Sequence, residues 1–77
     1  MQIDKVNFLE DYIIEIILTN KEKMYFDLKP LLQTARFKHI VSEEFFKKGK
    51  LISQCCIYWD DVTELQDYEI FGGAFID

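Results

Sequence analysis

The chain has few of the residues from which phosphate loops and covalent scaffolds are made. Its 77 residues include three glycines, one proline, two cysteines and one histidine. Scattered glycines do not form the glycine-rich loop that cradles a phosphate. Two cysteines cannot build the disulfide framework of a small secreted domain. Because Cys55 and Cys56 are adjacent, and neighbours on a strand point to opposite faces, we expect two reduced thiols.

The sequence also lacks the signals of export and of membrane insertion. No apolar run approaches the length that spans a bilayer. The segment 1–5 lacks the charged start and the apolar stretch of an export signal. These absences predict a cytoplasmic protein.

Residues that carry chemistry are equally sparse. The single histidine, His39, has no orienting partner recognisable from sequence, so it predicts a surface side chain rather than a general acid or base. The acidic group Asp60, Asp61 and Glu64 lacks the spacing of a calcium loop, and the adjacent cysteines lack that of a zinc site. We therefore expect no enzyme, no metal and no cofactor.

Positive charge is scarce and unevenly distributed. The chain has 14 acidic against 9 basic residues, a net charge of −5, which disfavours binding to nucleic acid. No lysine or arginine follows Asp60, whereas Arg36 and four lysines lie between residues 36 and 50. Two solvated faces that partly attract each other account for this pattern, and a basic docking patch for an acidic partner is the alternative.

What the chain does have is apolar mass, with 49% hydrophobic and 16% aromatic residues. Its length allows one domain, residues 1–77, and aromatic side chains suit a small core. The pattern predicts an α+β fold, a small antiparallel sheet of three to five strands with one or two short helices. Strands are expected over 3–9, 12–18 and 23–28 and within 50–59. Helical turns are expected from Pro30 and after Ser42, and residues 63–71 read as a helical turn or coil.

The segment 12–18 is the clearest strand. Both of its faces are largely apolar, which predicts a central strand covered on two sides. The turn that follows contains Asn20 and Lys21, where an Asn-Gly pair would have set the pairing. The strand register is therefore left open by one residue.

One set of features occurs in a fixed order along the chain: Val6, the segments 12–20 and 25–32, Phe37, Phe45, Phe46 and the segment 57–59. This order resembles a family of small bacterial proteins, domain of unknown function 2442, over roughly residues 1–68. Lys21 stands where the family has a turn glycine, and Asp60-Asp61 replaces or shortens its Pro-Asn-Gly turn. The resemblance implies a small α+β domain, in some relatives part of a two-gene module of toxin–antitoxin type.

Together these features predict a non-enzymatic protein-interaction module, in its narrower form the antitoxin-like partner of a small protein encoded beside it. The predicted contact residues are Trp59, Asp60, Asp61, Tyr25 and Phe75, because an aromatic ring flanked by charge is typical of interface anchors. The aromatic surplus and the apolar tail also predict a homodimer. The alternative is a small-ligand domain whose pocket lies between sheet and helices, lined by Tyr25, Phe37, Phe45 and Trp59.

Overall fold

Seven strands form two antiparallel sheets in the computed structural model, which describes residues 2–40, 42–60, 63–73 and 75–76. The first sheet contains β1 (Ile3–Phe8), β2 (Ile13–Leu18), β3 (Lys23–Asp27) and β7 (Phe75–Ile76). The second contains β4 (Lys50–Ile52), β5 (Cys56–Tyr58) and β6 (Glu64–Gln66), and the helices are α1 (Glu43–Phe46) and α2 (Asp67–Gly73). The predicted α+β class is confirmed, and the strands are shared between two sheets because turns and α1 separate β3 from β4.

The first sheet has the order β1-β2-β3-β7, so β2 is central as predicted. Ile14, Ile16 and Leu18 on its inner face are buried, whereas Ile13 and Ile17 on its outer face are only partly covered. Alternation of side chains along a strand produces this division. The expected second cover is therefore partial, since cross-strand neighbours shield the outer face.

A residue in the left-handed conformation sets the register between β2 and β3. Lys21 has φ 76°, its N–H donates to the Leu18 carbonyl at 2.9 Å, and the Leu18 N–H donates to Glu22. A turn closed by a left-handed third residue is the usual three-residue hairpin loop. The pairing Ile17↔Lys23 follows, which resolves the alternative that the sequence left open.

A proline turn and one cap confirm two further local predictions. Pro30 lies in a 3₁₀ turn, Lys29–Leu31, where its missing N–H costs nothing. Ser42 precedes α1, and its Oγ accepts a hydrogen bond from the Phe45 N–H at 3.1 Å.

The chain after residue 62 differs more from expectation. Residues 64–66 form β6, which pairs with β5 through Leu65↔Ile57, and α2 follows at once. The tail forms β7, whose Phe75 pairs with Tyr25 of β3. The tail therefore adds a strand to the chain's own first sheet.

The two sheets share one hydrophobic core. Where the sheets meet, the rings of Phe8, Phe46 and Trp59 form a cluster, here called the aromatic joint. Ile57 and Leu65 of the second sheet are fully buried in the same cluster as the inner face of β2. The Trp59 indole lies 6.0 Å from the Phe8 ring and 6.3 Å from the Phe46 ring, measured between centroids. Edge-to-face and offset contacts of this kind add to the burial of aromatic area.

Gly49 makes this close approach possible. A Cβ at Gly49 would lie 2.7 Å from Phe8 Cζ and 2.8 Å from Trp59 Nε1, distances that side chains do not tolerate. The Trp59 Nε1–H donates to the Phe46 carbonyl at 2.8 Å, which satisfies the buried indole.

Candidate interaction surface

The outer face of the second sheet forms an open groove of about 400 Å³. Because β4 and β5 alternate inward and outward, Leu51 and Ile57 face the core while Lys50 and Tyr58 pair on the outside. Trp59, which is only 9% exposed, also contributes to the lining. The groove is lined by Lys48, Lys50, Ile52, Tyr58, Trp59 and Asp60.

Two apolar side chains are more exposed here than is usual for their size. Ile52 has 43% of its surface accessible and Tyr58 has 36%. Tyr58 lies opposite Glu64 of β6, and the hydrogen bond to that carboxylate raises the pKa of the Tyr58 hydroxyl to about 12. The phenol therefore stays protonated, and its ring offers an uncharged surface beside Ile52.

The groove also contains two lysines. Lys48 and Lys50 are exposed, and among the residues that the structure describes neither forms an ion pair. Two other members of the basic stretch are paired, Arg36 with Glu69 at 2.7 Å and Lys47 with Glu10 at 3.0 Å. Attraction between the basic stretch and the acidic C-terminal part is thus present at Arg36, whereas Lys48 and Lys50 place positive charge at the groove.

Among the described residues that line the groove, Asp60 is the one acid. Its Oδ1 accepts the Thr63 N–H at 2.8 Å, which closes the turn between β5 and β6. Trp59 and Asp60, both predicted contact residues, therefore lie together at one site, whereas Asp61 is outside the described residues.

The other two predicted contact residues lie elsewhere. Tyr25 is on the outer face of the first sheet, where its hydroxyl donates to Glu15 Oε2 at 3.0 Å. Asn7 donates to the other oxygen, Glu15 Oε1, also at 3.0 Å, and the two hydrogen bonds lower the pKa of Glu15. Phe75 of β7 pairs with Tyr25 in the register of the first sheet, and neither residue lines the groove.

The aromatic pocket expected between sheet and helices is not formed by the four residues named for it. Phe37 and Trp59 are buried members of the core, 6.2 Å apart between ring centroids. Tyr25 lies on the opposite face of the first sheet, because Met24 and Phe26 on either side of it point into that core.

The sequence reasoning missed Lys48, Lys50, Ile52 and Tyr58 as neighbours. The available signal was the alternation in Lys50-Leu51-Ile52, which places a lysine and an isoleucine on one face of a strand. What sequence could not supply is the pairing Lys50↔Tyr58, which brings the two strands together.

Comparison with protein-family models, with curated proteins and with solved structures found no match. The resemblance to the domain of unknown function 2442 family therefore stays a prediction. Within residues 2–40, 42–60, 63–73 and 75–76, no group of three or more His, Cys, Asp and Glu could hold a metal ion. In the same ranges no helix is long and apolar enough to cross a membrane. His39 is exposed.

Proposed function

We propose that this chain is a non-enzymatic protein-interaction module that binds an acidic segment of a partner protein in the groove of its second sheet. The observation that carries the proposal is the pair Lys48 and Lys50 beside the exposed side chains of Ile52 and Tyr58. Although the chain has a net charge of −5, these two lysines give the groove a local excess of positive charge beside exposed apolar side chains.

The positive charge of the groove favours a partner segment that carries negative charge. A partner segment with Asp or Glu residues would pair with the two lysines, and an apolar residue within it would cover Ile52 and Tyr58. Rim charges of this kind act mainly on association rate and on the choice of partner. Since β4 is an edge strand of the second sheet, an extended segment could also lie alongside it.

The first experiment measures binding of a synthetic peptide of alternating glutamate and leucine. The double reversal Lys48→Glu with Lys50→Glu is expected to weaken binding on the order of tenfold or more, because attraction becomes repulsion. The matched control is Lys5→Glu with Lys23→Glu, two exposed lysines on the first sheet, which should bind as the unaltered protein does. Equal losses in both double variants would contradict the proposal, as would a peptide that binds neither protein.

A narrower form of the proposal assigns the partner to the product of an adjacent gene, as in an antitoxin-like pair. Co-expression of the two chains should yield a complex that survives purification and is lost in the double reversal of Lys48 and Lys50. Purification of this chain alone, with nothing retained, would count against the antitoxin-like role while leaving the peptide result to judge the groove itself.

Homodimerisation in the cytoplasm is a separate proposal, supported by the edge strands β1, β4, β6 and β7 that the described sheets present. Light scattering at high concentration should then give twice the chain mass of 9.2 kDa. A mass of one chain at every concentration would refute it.

A second cavity gives the small-ligand alternative a specific basis. It has a volume of about 400 Å³ and lies between the end of β3 and α2. Phe26, Pro30 and Leu31 provide an apolar wall, and Asp27 and Glu69 provide carboxylates. A thermal-shift screen of apolar cations and neutral metabolites tests it, since a ligand of the folded state must raise stability.

A further inference from the structure

The two cysteines do not lie as strand neighbours would. Cys56 begins β5, but Cys55 belongs to the turn before it, so the two side chains are not forced to opposite faces. Their Sγ atoms are 3.4 Å apart, and each lies 3.7 Å from the Ile52 carbonyl oxygen. Both thiols are free, Cys56 is buried and Cys55 is partly exposed.

The backbone of the turn holds this arrangement. Ser53 and Gln54 have φ values of 55° and 59°, a left-handed conformation that is costly for residues with a Cβ. The Cys55 N–H donates to the Ile52 carbonyl at 3.2 Å, and the Gln54 carbonyl accepts the Ile3 N–H at 3.1 Å. One hydrogen bond closes the turn and the other attaches it to β1 of the first sheet. Together they stabilise the left-handed backbone conformation of Ser53 and Gln54.

We propose that Cys55 and Cys56 form a reversible oxidation site, at which a hydroperoxide converts the two thiols into a disulfide between adjacent residues. The sulfur atoms are already in contact, so the bond needs a displacement of little more than an ångström. The test of this site does not depend on the acidic-partner groove, because it measures the mass and thiol content of the chain rather than binding.

The chemistry balances in two steps. The sulfur of the more exposed Cys55 attacks a peroxide oxygen, which breaks the O–O bond, gives Cys55 sulfenic acid and releases an alcohol or water. The Cys56 sulfur then attacks the Cys55 sulfur, the S–O bond breaks, and water leaves with the thiol proton. Two thiols lose two electrons and two protons, and the peroxide is reduced.

The two cysteines have different roles in these two reaction steps. Burial is the main cause that raises the pKa of Cys56, so this thiol is a poor first nucleophile and acts as the resolving group. A disulfide within a ring that contains one peptide bond deviates from relaxed geometry, and strained disulfides are more easily reduced. Reversal by a dithiol reductant is therefore expected.

The test oxidises the reduced protein with hydrogen peroxide, quenches with an alkylating reagent and measures intact mass. The expected product is a monomer that has lost two hydrogen atoms, carries no alkyl group and regains two alkylation sites after treatment with dithiothreitol. Cys55→Ser and Cys56→Ser, each with one thiol, should not form it.

A parallel reaction in concentrated urea separates the role of the fold from that of sequence adjacency. Because the folded turn holds the sulfurs together, the disulfide should form faster in the native protein, on the order of tenfold. An equal or higher rate in urea would overturn the inference. So would a native product that consists only of sulfinic acid, sulfonic acid or disulfide-linked dimers.

Discussion

Both sheets carry a glutamate beside a tyrosine on the outer face, but the surroundings of the two pairs differ. In the first sheet Glu15 lies opposite Tyr25 and receives hydrogen bonds from both Tyr25 and Asn7. In the second sheet Glu64 lies opposite Tyr58, whose other cross-strand neighbour is Lys50 of the groove. Both faces carry exposed lysines, but Ile13 and Ile17 on the first face are partly covered, whereas Ile52 and Tyr58 on the second are exposed. The glutamate–tyrosine pair therefore does not make a sheet face a candidate interface. The side chains that surround the pair decide this.

The largest effect is expected where the two sheets meet. Gly49→Ala places a Cβ within 3 Å of Phe8 and Trp59, so the joint must open, and we expect a loss of roughly 1–3 kcal/mol in the free energy of unfolding. Gly72→Ala is the matched control, because a Cβ there meets nothing within 4 Å. Urea denaturation of both variants measures the difference, and an equal midpoint shift in the two would show that the joint is not tightly packed.

A smaller effect of opposite sign is expected at the hairpin of the first sheet. Lys21 has φ 76°, where glycine has no steric cost, so Lys21→Gly should stabilise the protein by roughly 0.5–1 kcal/mol. The exposed ion pair with Asp4, at 3.8 Å, contributes little that could be lost. Lys21→Ala removes the same ion pair but keeps a Cβ, so it should show no gain. A destabilised glycine variant would contradict the assigned turn.

The two glutamate–tyrosine pairs should also respond to opposite ends of the pH scale. Because the folded-state pKa of Glu15 is lowered from 4.5, its hydrogen bonds stabilise the protein above that value and lose their contribution as pH falls through the folded pKa. Glu15→Gln should therefore melt below the unaltered protein at neutral pH and approach it in acid. Glu22→Gln, in the exposed turn, is the control. Parallel melting curves from neutral pH to pH below 4 would refute the prediction.

The alkaline counterpart concerns Tyr58 and is the smallest change. Its pKa is raised from 10.0 to about 12, so stability that is complete below pH 10 should decline as pH rises towards 12. Absorbance of the phenolate in the native protein should show one late titration that is absent from Tyr58→Phe. If the absorbance that is lost in Tyr58→Phe titrates near pH 10 instead, the contact with Glu64 does not hold the proton.

Local patterns in the sequence predicted most helical turns and strands, but they did not predict how the strands pair. Ser42 as a cap and Pro30 in a first turn were predictable because each acts through atoms a few residues away. The strand β6 was not, since Glu64-Leu65-Gln66 has one apolar residue and becomes a strand only by pairing with β5. Trp59 and Asp60, which the sequence suggested as contact residues, line the groove, and Lys50 joins them only through the pairing of β4 with β5.

The aromatic joint has a spectroscopic consequence. Trp59 is the single tryptophan of the chain, and its indole contacts Phe8 from one sheet while following β5 of the other. Its emission therefore reports whether the sheets remain docked, whereas far-ultraviolet circular dichroism reports the strands themselves. Coincident transitions by the two probes would mean that both sheets unfold as one cooperative unit. A red shift in emission that precedes the loss of dichroism would reveal a state with two intact but separated sheets.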